Sequence, residues 1–130
     1  MIHASGSPPR FTATRGMRDD DDFWRVRSFL VRTHAITPPG LNWDVRRWDG
    51  RRFYTDDPAW DPTWSDRYRL WQSPDGQVVG AAHPEGRGDV HLQVHPDHRA
   101  LELEMLAWAE RHLAVPPTAG GSPQLTTYVF

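Results

Sequence analysis

The chain has 130 residues, a net charge of −2 and no cysteine, and its fifteen basic residues are all arginines interspersed with acidic ones. This length suits one domain that buries roughly two-thirds of its unfolded surface. A chain without cysteine has no disulfide bonds, thiolate zinc sites or cysteine nucleophile, and the mixed charges exclude a nucleic-acid-binding stripe. No apolar run is long enough for a membrane span or a signal peptide, so we expect a cytoplasmic protein.

The first third of the chain predicts a tail, a strand and a helix. Residues 1–10 are small and polar, so we expect a flexible tail before a single domain over residues 11–130. The β-branched and aromatic residues of 11–17 predict a strand. The acidic run 19–22 favours a helix start, because carboxylates are stabilised at the positive end of a helix. Phe23, Val26, Leu30 and His34 fall on one face of this helix, with Arg25 and Arg32 away from it.

A short second helix and a loop are predicted next. Asn42 is the expected N-cap of this helix and Gly50 its C-terminal stop. Residues 51–66 are rich in proline and tryptophan and follow neither the helical nor the strand period. We therefore expect an ordered loop there.

The remaining segments predict three strands, a helix and a last strand. Residues 67–72 and 77–82 flank the turn-forming sequence SPDG and predict a hairpin. Residues 89–95 alternate between two faces, one with Val90, Leu92 and Val94 and the other with Asp89, His91, Gln93 and His95. A helix over 97–113 has an apolar stripe made of Leu101, Met105, Trp108, Ala109 and His112. Residues 124–130 predict the final strand.

This order, β-α-α-β-β-β-α-β, predicts an α/β (α+β) fold with a mixed, mainly antiparallel sheet and flanking helices. The hairpin RLWQSPDGQVVGAA, the strand DVHLQVHPDHR and the helix LEMLAWAE together resemble the GNAT superfamily of N-acetyltransferases. The likeness extends over residues 11–130. It implies that the fourth strand diverges from the fifth, and that acetyl-CoA lies in the gap with its pyrophosphate at the N-terminus of the next helix.

The resemblance implies a set of cofactor-binding residues at the end of the fourth strand. Val94 and His95 would offer backbone groups to the pantetheine, and Arg99, Ala100 and Leu101 would begin the phosphate loop. Where the family has glycines, however, this chain has Glu102 and Glu104. Two carboxylates at a pyrophosphate site oppose binding, so the sequence predicts a phosphate site filled by the protein's own side chains.

Other candidate residues follow from the chemistry that the resemblance implies. A general base must deprotonate the acceptor amine; His95 is the chosen candidate, beside Asp89 and His91 on the polar side of the strand. Trp43, Arg47 and Trp48 are the candidates for the acceptor pocket, although such residues more often form core and rim. The pair His95 and His98 does not complete a zinc site, so no metal is expected.

Three functions remain open at this point. The first is an N-acetyltransferase domain that transfers an acetyl group from acetyl-CoA to a small amine, and we expect no turnover from the isolated chain. The second is a catalytically silent scaffold, which forms a homodimer or supports a partner domain through an open sheet edge. A binding module for a small ligand is a further alternative. The family usually continues with a helix and two strands after the fifth strand, so the chain is expected to be the N-terminal portion of the fold. No membrane or nucleic-acid partner is expected.

Overall fold

A five-stranded sheet organises the chain. The computed structural model describes residues 13–37, 45–53, 61–84, 88–115 and 124–129. The strands are β1 (Ala13–Gly16), β2 (Arg69–Gln72), β3 (Val78–Pro84), β4 (Asp89–Val94) and β5 (Thr126–Val129). The helices are α1 (Asp20–His34), α2 (Val45–Phe53), α3 (Trp64–Arg67) and α4 (Glu102–Leu113), and a 3-10 helix over Pro96–Leu101 leads into α4.

The strands lie in the sheet in the order in which they occur in the chain. Neighbouring strands are antiparallel except β4 and β5, which are parallel. This confirms the predicted α+β fold class, with a mixed and mainly antiparallel sheet and flanking helices. No helix within the five described ranges is long and apolar enough to cross a membrane.

Helix α1 begins where the acidic run predicts. Asp19 is its N-cap and accepts a hydrogen bond from the backbone N–H of Asp22. On the predicted face, Phe23, Val26 and Leu30 are buried. His34 lies in the last turn of the helix and is exposed, whereas Thr33 beside it is buried.

Helix α2 does not stop at Gly50 as predicted but continues to Phe53. The additional turn is stabilised by contacts that are distant in the sequence. Arg51 Nε donates to Tyr68 Oη at 2.7 Å, Arg52 Nε donates to Asp20 Oδ1 at 2.6 Å, and the Phe53 ring packs edge-on against Phe23. These contacts outweigh the helix penalty of a glycine, which is about 1 kcal/mol. The predicted N-cap Asn42 lies outside the described residues.

The prediction of a loop over 51–66 is wrong at both ends. Residues 51–53 belong to α2, and α3 forms one helical turn from Trp64. The Trp64 ring stacks on Tyr68 at 4.0 Å between ring centres, which holds this turn against the sheet. Residues 54–60 lie outside the described part of the chain.

The predicted hairpin is confirmed. The turn between β2 and β3 is closed by hydrogen bonds from Ser73 N to Gln77 O at 2.8 Å and from Gly76 N to Ser73 O at 2.9 Å. Gly76 has φ of 84°, a conformation that residues with a Cβ rarely adopt. The glycine that the sequence has in this turn is therefore the residue type that its backbone conformation requires.

The predicted helix over 97–113 is divided in two. Its first part is the 3-10 helix, and His98 within it has φ of −122° and ψ of 28°, which is not helical. The stripe of Leu101, Met105, Trp108 and Ala109 is buried as predicted, together with Leu113. His112 is exposed instead, and its ring stacks on Trp108 at 4.9 Å.

Two apolar clusters cover the two faces of the sheet. The first joins α1, α2 and α3 to the sheet and includes Phe23, Val26, Phe29, Trp48, Trp64 and Leu70. The second joins α4 to the sheet and includes Trp71, Val79, Leu92, Met105, Trp108 and Leu113. Strand β4 lies between them and is buried on both faces, including the side of His91 and Gln93 that the alternation predicts to be polar.

Candidate functional site

Strand β4 extends beyond its pairing with β5. The described part of β5 ends at Val129, which lies opposite Leu92. Val94 lies two residues further along β4 and is paired with Gly80 of β3. The hydrogen bond from His95 N to Val79 O makes Val94 and Gly80 a non-hydrogen-bonded pair. The N–H and C=O of Val94 therefore point away from β3, toward the β5 side.

His95 follows Val94 in the chain, and its side chain caps the start of the 3-10 helix over Pro96–Leu101. Its Nδ1 accepts a hydrogen bond from the backbone N–H of Asp97 at 3.0 Å. Both of its backbone groups are also used, since its N–H bonds to Val79 O and its C=O accepts from His98 N at 2.8 Å. Of the two residues predicted to pair with a pantetheine arm, Val94 has its backbone groups on the β5 side and His95 does not.

The same hydrogen bond limits His95 as a general base. Because Nδ1 accepts, a neutral ring carries its proton on Nε2 and presents a donor there. Burial lowers the pKa of His95, and the neighbouring Asp97 carboxylate only partly opposes this effect. The ring is therefore neutral near pH 7 but has its lone pair engaged, so it serves as a hydrogen-bond donor in this arrangement.

The two glutamates at the start of α4 both have partners within the fold. Glu104 Oε2 accepts from Trp71 Nε1 on the sheet at 2.7 Å. Glu102 Oε1 accepts from Arg99 Nη1 at 3.0 Å, so the arginine predicted for the phosphate loop is paired with it. Leu101 is buried in the α4 cluster, and Ala100 is exposed. Both carboxylates are thus engaged by side chains of the chain itself, while Leu101, the N-cap of α4, makes no side-chain capping hydrogen bond.

We predict unequal effects from removing the two glutamates. Glu104→Ala leaves the indole N–H of Trp71 without its acceptor, and we expect a loss of about 1–2 kcal/mol in the free energy of unfolding. Glu102→Ala removes an exposed ion pair and should cost less than about 1 kcal/mol. Urea denaturation of both variants measures the difference. Equal losses would mean that the Trp71 contact contributes nothing to stability.

The predicted acceptor residues do not share a surface. Trp43 lies outside the described residues. Arg47 is exposed on α2, whereas Trp48 has no exposed surface. The Trp48 ring stacks on Phe23 at 5.3 Å, and its Nε1 donates to Phe23 O at 3.1 Å. Trp48 is thus a core residue of the cluster that joins α1, α2 and α3 to the sheet.

A row of stacked rings, which no pattern in the sequence predicts, crosses the sheet beside the end of β5. Tyr68 stacks on His83, His83 on His91, and His91 on Tyr128, with ring centres 5.9, 5.6 and 5.0 Å apart. The strand registers bring His83 opposite His91 and His91 opposite Tyr128. The alternation along β4 indicates the face on which His91 lies. The row itself depends on how β3 and β5 are aligned with β4.

Two rings of this row, His83 and Tyr68, are held in their neutral forms by burial. Burial lowers the pKa of His83 well below its ordinary value, and the positive charge of Arg51 and the neighbouring His91 add to this effect. Burial likewise raises the pKa of Tyr68, against the influence of Arg51. At the boundary between β4 and β5 the row ends in the His91 imidazole and the Tyr128 phenol, which are groups of the kind that serve in general acid–base chemistry.

Among the described residues, no group of three histidine, aspartate or glutamate side chains could hold a metal ion. No protein-family model matches the sequence, and no curated protein sequence is significantly similar to it.

Proposed function

We propose that the chain is an N-acetyltransferase domain of the GNAT type, with acetyl-CoA as the acyl donor and a small amine as the acceptor. The observation that carries the proposal is the direction of the Val94 backbone. Its N–H and C=O point toward the β5 side beyond the last described residue of β5. A pantetheine arm has amide groups that pair with such a strand, as an added strand would.

The closed helix start determines how the donor is held. A helix N-terminus binds phosphate through N–H groups that have no other partner. Here the Asp97 N–H is bound by His95 Nδ1, and Arg99 is paired with Glu102. The pantetheine arm therefore supplies most of the binding energy, and the phosphates of the donor contribute little.

This account predicts that S-acetylpantetheine and acetyl-CoA bind with similar affinity. A thermal-shift titration with both compounds measures this, with desulfo-CoA and ATP as controls. A ligand at 100 times its Kd stabilises the fold by about 2.7 kcal/mol, which should raise the Tm by several degrees. ATP should give no shift.

Other outcomes of the same titration distinguish the alternatives. If acetyl-CoA binds at least tenfold more tightly than S-acetylpantetheine, the phosphate site is open and the argument from His95 and Arg99 is wrong. A positive titration justifies a screen of amines for acetyl transfer. If neither compound shifts the Tm at millimolar concentration, the proposal of an acetyltransferase domain is overturned.

The second candidate is a catalytically silent scaffold, and the closed helix start favours it. The sheet order ends at β5, and among the described residues no strand pairs with the outer edge of β5. An edge of this kind offers backbone groups to another strand. Under this candidate, light scattering shows a dimer at micromolar concentration. If the chain is a monomer, dimerisation is contradicted, and the scaffold would have to support a separate partner domain.

A further inference from the structure

Arg32 near the end of α1 differs from the other arginines of that helix. Arg25 and Arg27 each form an ion pair, with Asp22 and Asp49 respectively, at 2.9 Å. Arg32 instead donates to two neutral oxygens of the hairpin, Gln77 Oε1 and Val78 O, both at 3.2 Å. Among the described residues it has no carboxylate partner within 4.0 Å. Its guanidinium is therefore held in place, keeps its charge and retains N–H donors for another molecule.

An open depression of about 430 Å³ lies beside this guanidinium, between α1 and the β2–β3 turn. A volume of this size is within the range of small-molecule sites. Its lining includes, from α1 and from the hairpin, Trp24, Arg25, Ser28, Arg32, Gln77 and Val78. We refer to it as the α1–hairpin cavity.

The lining combines a flat apolar wall with hydrogen-bond donors. The Trp24 side chain is 47% exposed, although its ring also contacts Phe53 and the Arg27 guanidinium. Ser28 lies one helical turn before Arg32 and so on the same side of α1. An indole face accommodates a planar ring, and a guanidinium matches a carboxylate with two parallel hydrogen bonds.

We propose that the α1–hairpin cavity binds a small aromatic carboxylate. The carboxylate lies on Arg32, with Ser28 as an additional donor, and the ring lies against Trp24. This site is separate from the gap beside Val94, because it opens at the β2–β3 turn whereas the gap is on the β5 side of β4. The inference is independent of acetyl transfer.

The charge of Asp21 provides a test that does not depend on folding. Asp21 also lines the cavity and is exposed. Its carboxylate repels an anionic ligand, with a strength reduced by the solvent. Asp21→Asn should therefore strengthen binding by about two- to threefold, and Arg32→Gln should weaken it at least tenfold. Opposite effects at two residues of one cavity would not arise from a general loss of structure.

Isothermal titration calorimetry with indole-3-carboxylate tests the proposal. Tryptamine, which carries the opposite charge, and uncharged indole serve as ligand controls. Arg111→Gln on α4 is the matched control variant, because it removes an exposed arginine that does not line the cavity. Ser28→Phe fills the cavity without changing any charge and should abolish binding even if Arg32→Gln does not fold.

The proposal predicts submillimolar binding of indole-3-carboxylate to the native chain and to Arg111→Gln, with the opposite effects at Arg32 and Asp21. Equal affinity for tryptamine or indole would overturn it, because the guanidinium would then have no role. Unchanged binding to Ser28→Phe would place the ligand elsewhere and also overturn it. The proposal would also be overturned if 5 mM ligand, a concentration about tenfold above the expected Kd, gave no heat of binding.

Discussion

Replacing Asp22 by alanine should lower the free energy of unfolding by about 2–4 kcal/mol, because it leaves the largely buried Arg15 guanidinium and the Arg18 N–H without their shared acceptor. The Asp22 side chain is fully buried. It accepts from Arg15 through both oxygens, at 2.6 and 2.7 Å, from Arg25 at 2.9 Å and from the backbone N–H of Arg18 at 2.8 Å. These contacts join β1 to the start of α1.

The neighbouring Asp21 is the matched control for this prediction. It stands in the same first turn of α1 but is exposed. Asp21→Ala removes only a favourable interaction with the helix dipole and should cost less than about 1 kcal/mol. Chemical denaturation at pH 7 compares the two variants. If both lose the same free energy, the buried cluster around Asp22 is not a major source of stability.

The same carboxylate gives a pH dependence. Burial alone would raise the pKa of Asp22, but hydrogen bonds from Arg15 and Arg18 and the positive charge of Arg15 outweigh it and lower the pKa from 3.8 to about 2. A carboxylate with a depressed pKa contributes stability that is complete above its unfolded value and is lost as the pH falls toward its folded value. The contribution is about 2 kcal/mol.

The window for this loss is therefore between about pH 4 and pH 2. The stability difference between the native chain and Asp22→Asn should be constant above pH 5 and should shrink through this window. Denaturation at several pH values measures it. A difference that stays constant down to pH 2 would contradict the assignment of the effect to this carboxylate.

Trp48→Ala is the second variant from which we expect a large effect, a loss of about 3–5 kcal/mol. Its ring lies within 6.0 Å of the rings of Phe23, Trp64, Tyr68 and His83, and it is fully buried. Removing the side chain opens a cavity in the cluster that joins α1, α2 and α3 to the sheet, and it removes the indole donor to Phe23 O. The row of rings that ends at Tyr128 also loses a neighbour.

Trp24→Ala is a suitable control, since it removes the same type of side chain from a half-exposed position on α1. We expect a loss of about 1 kcal/mol or less. Thermal and urea denaturation of the two variants measures the difference. If Trp48→Ala folded with native stability, its ring would be available for a ligand, and the assignment to the core would be wrong.

Local patterns in the sequence were sufficient for much of the fold. The acidic cap at Asp19 and the turn at Gly76 each depend on residues close in the chain, and both are confirmed. Errors occurred where distant contacts decide the structure. Gly50 does not end α2, because Arg51, Arg52 and Phe53 find partners beyond the helix.

The candidate site was less predictable for the same reason. The order of residues indicates that Glu104 lies at a helix start, but not that it accepts from Trp71, 33 positions earlier. The sequence places His95 at the end of β4 but not its Nδ1 on the N–H of Asp97. The row of rings depends on two strand registers at once. Side-chain direction and register, which the order of residues does not specify, determine the chemistry here.

The measurement that tests the central claim most directly is an NMR titration of chain labelled with ¹⁵N-valine. If a pantetheine arm pairs with the end of β4, acetyl-CoA should shift the Val94 amide signal more than any other valine signal and should slow its hydrogen exchange. Val26, fully buried in α1, should not respond. No movement of the Val94 signal at millimolar acetyl-CoA would contradict the proposed donor site.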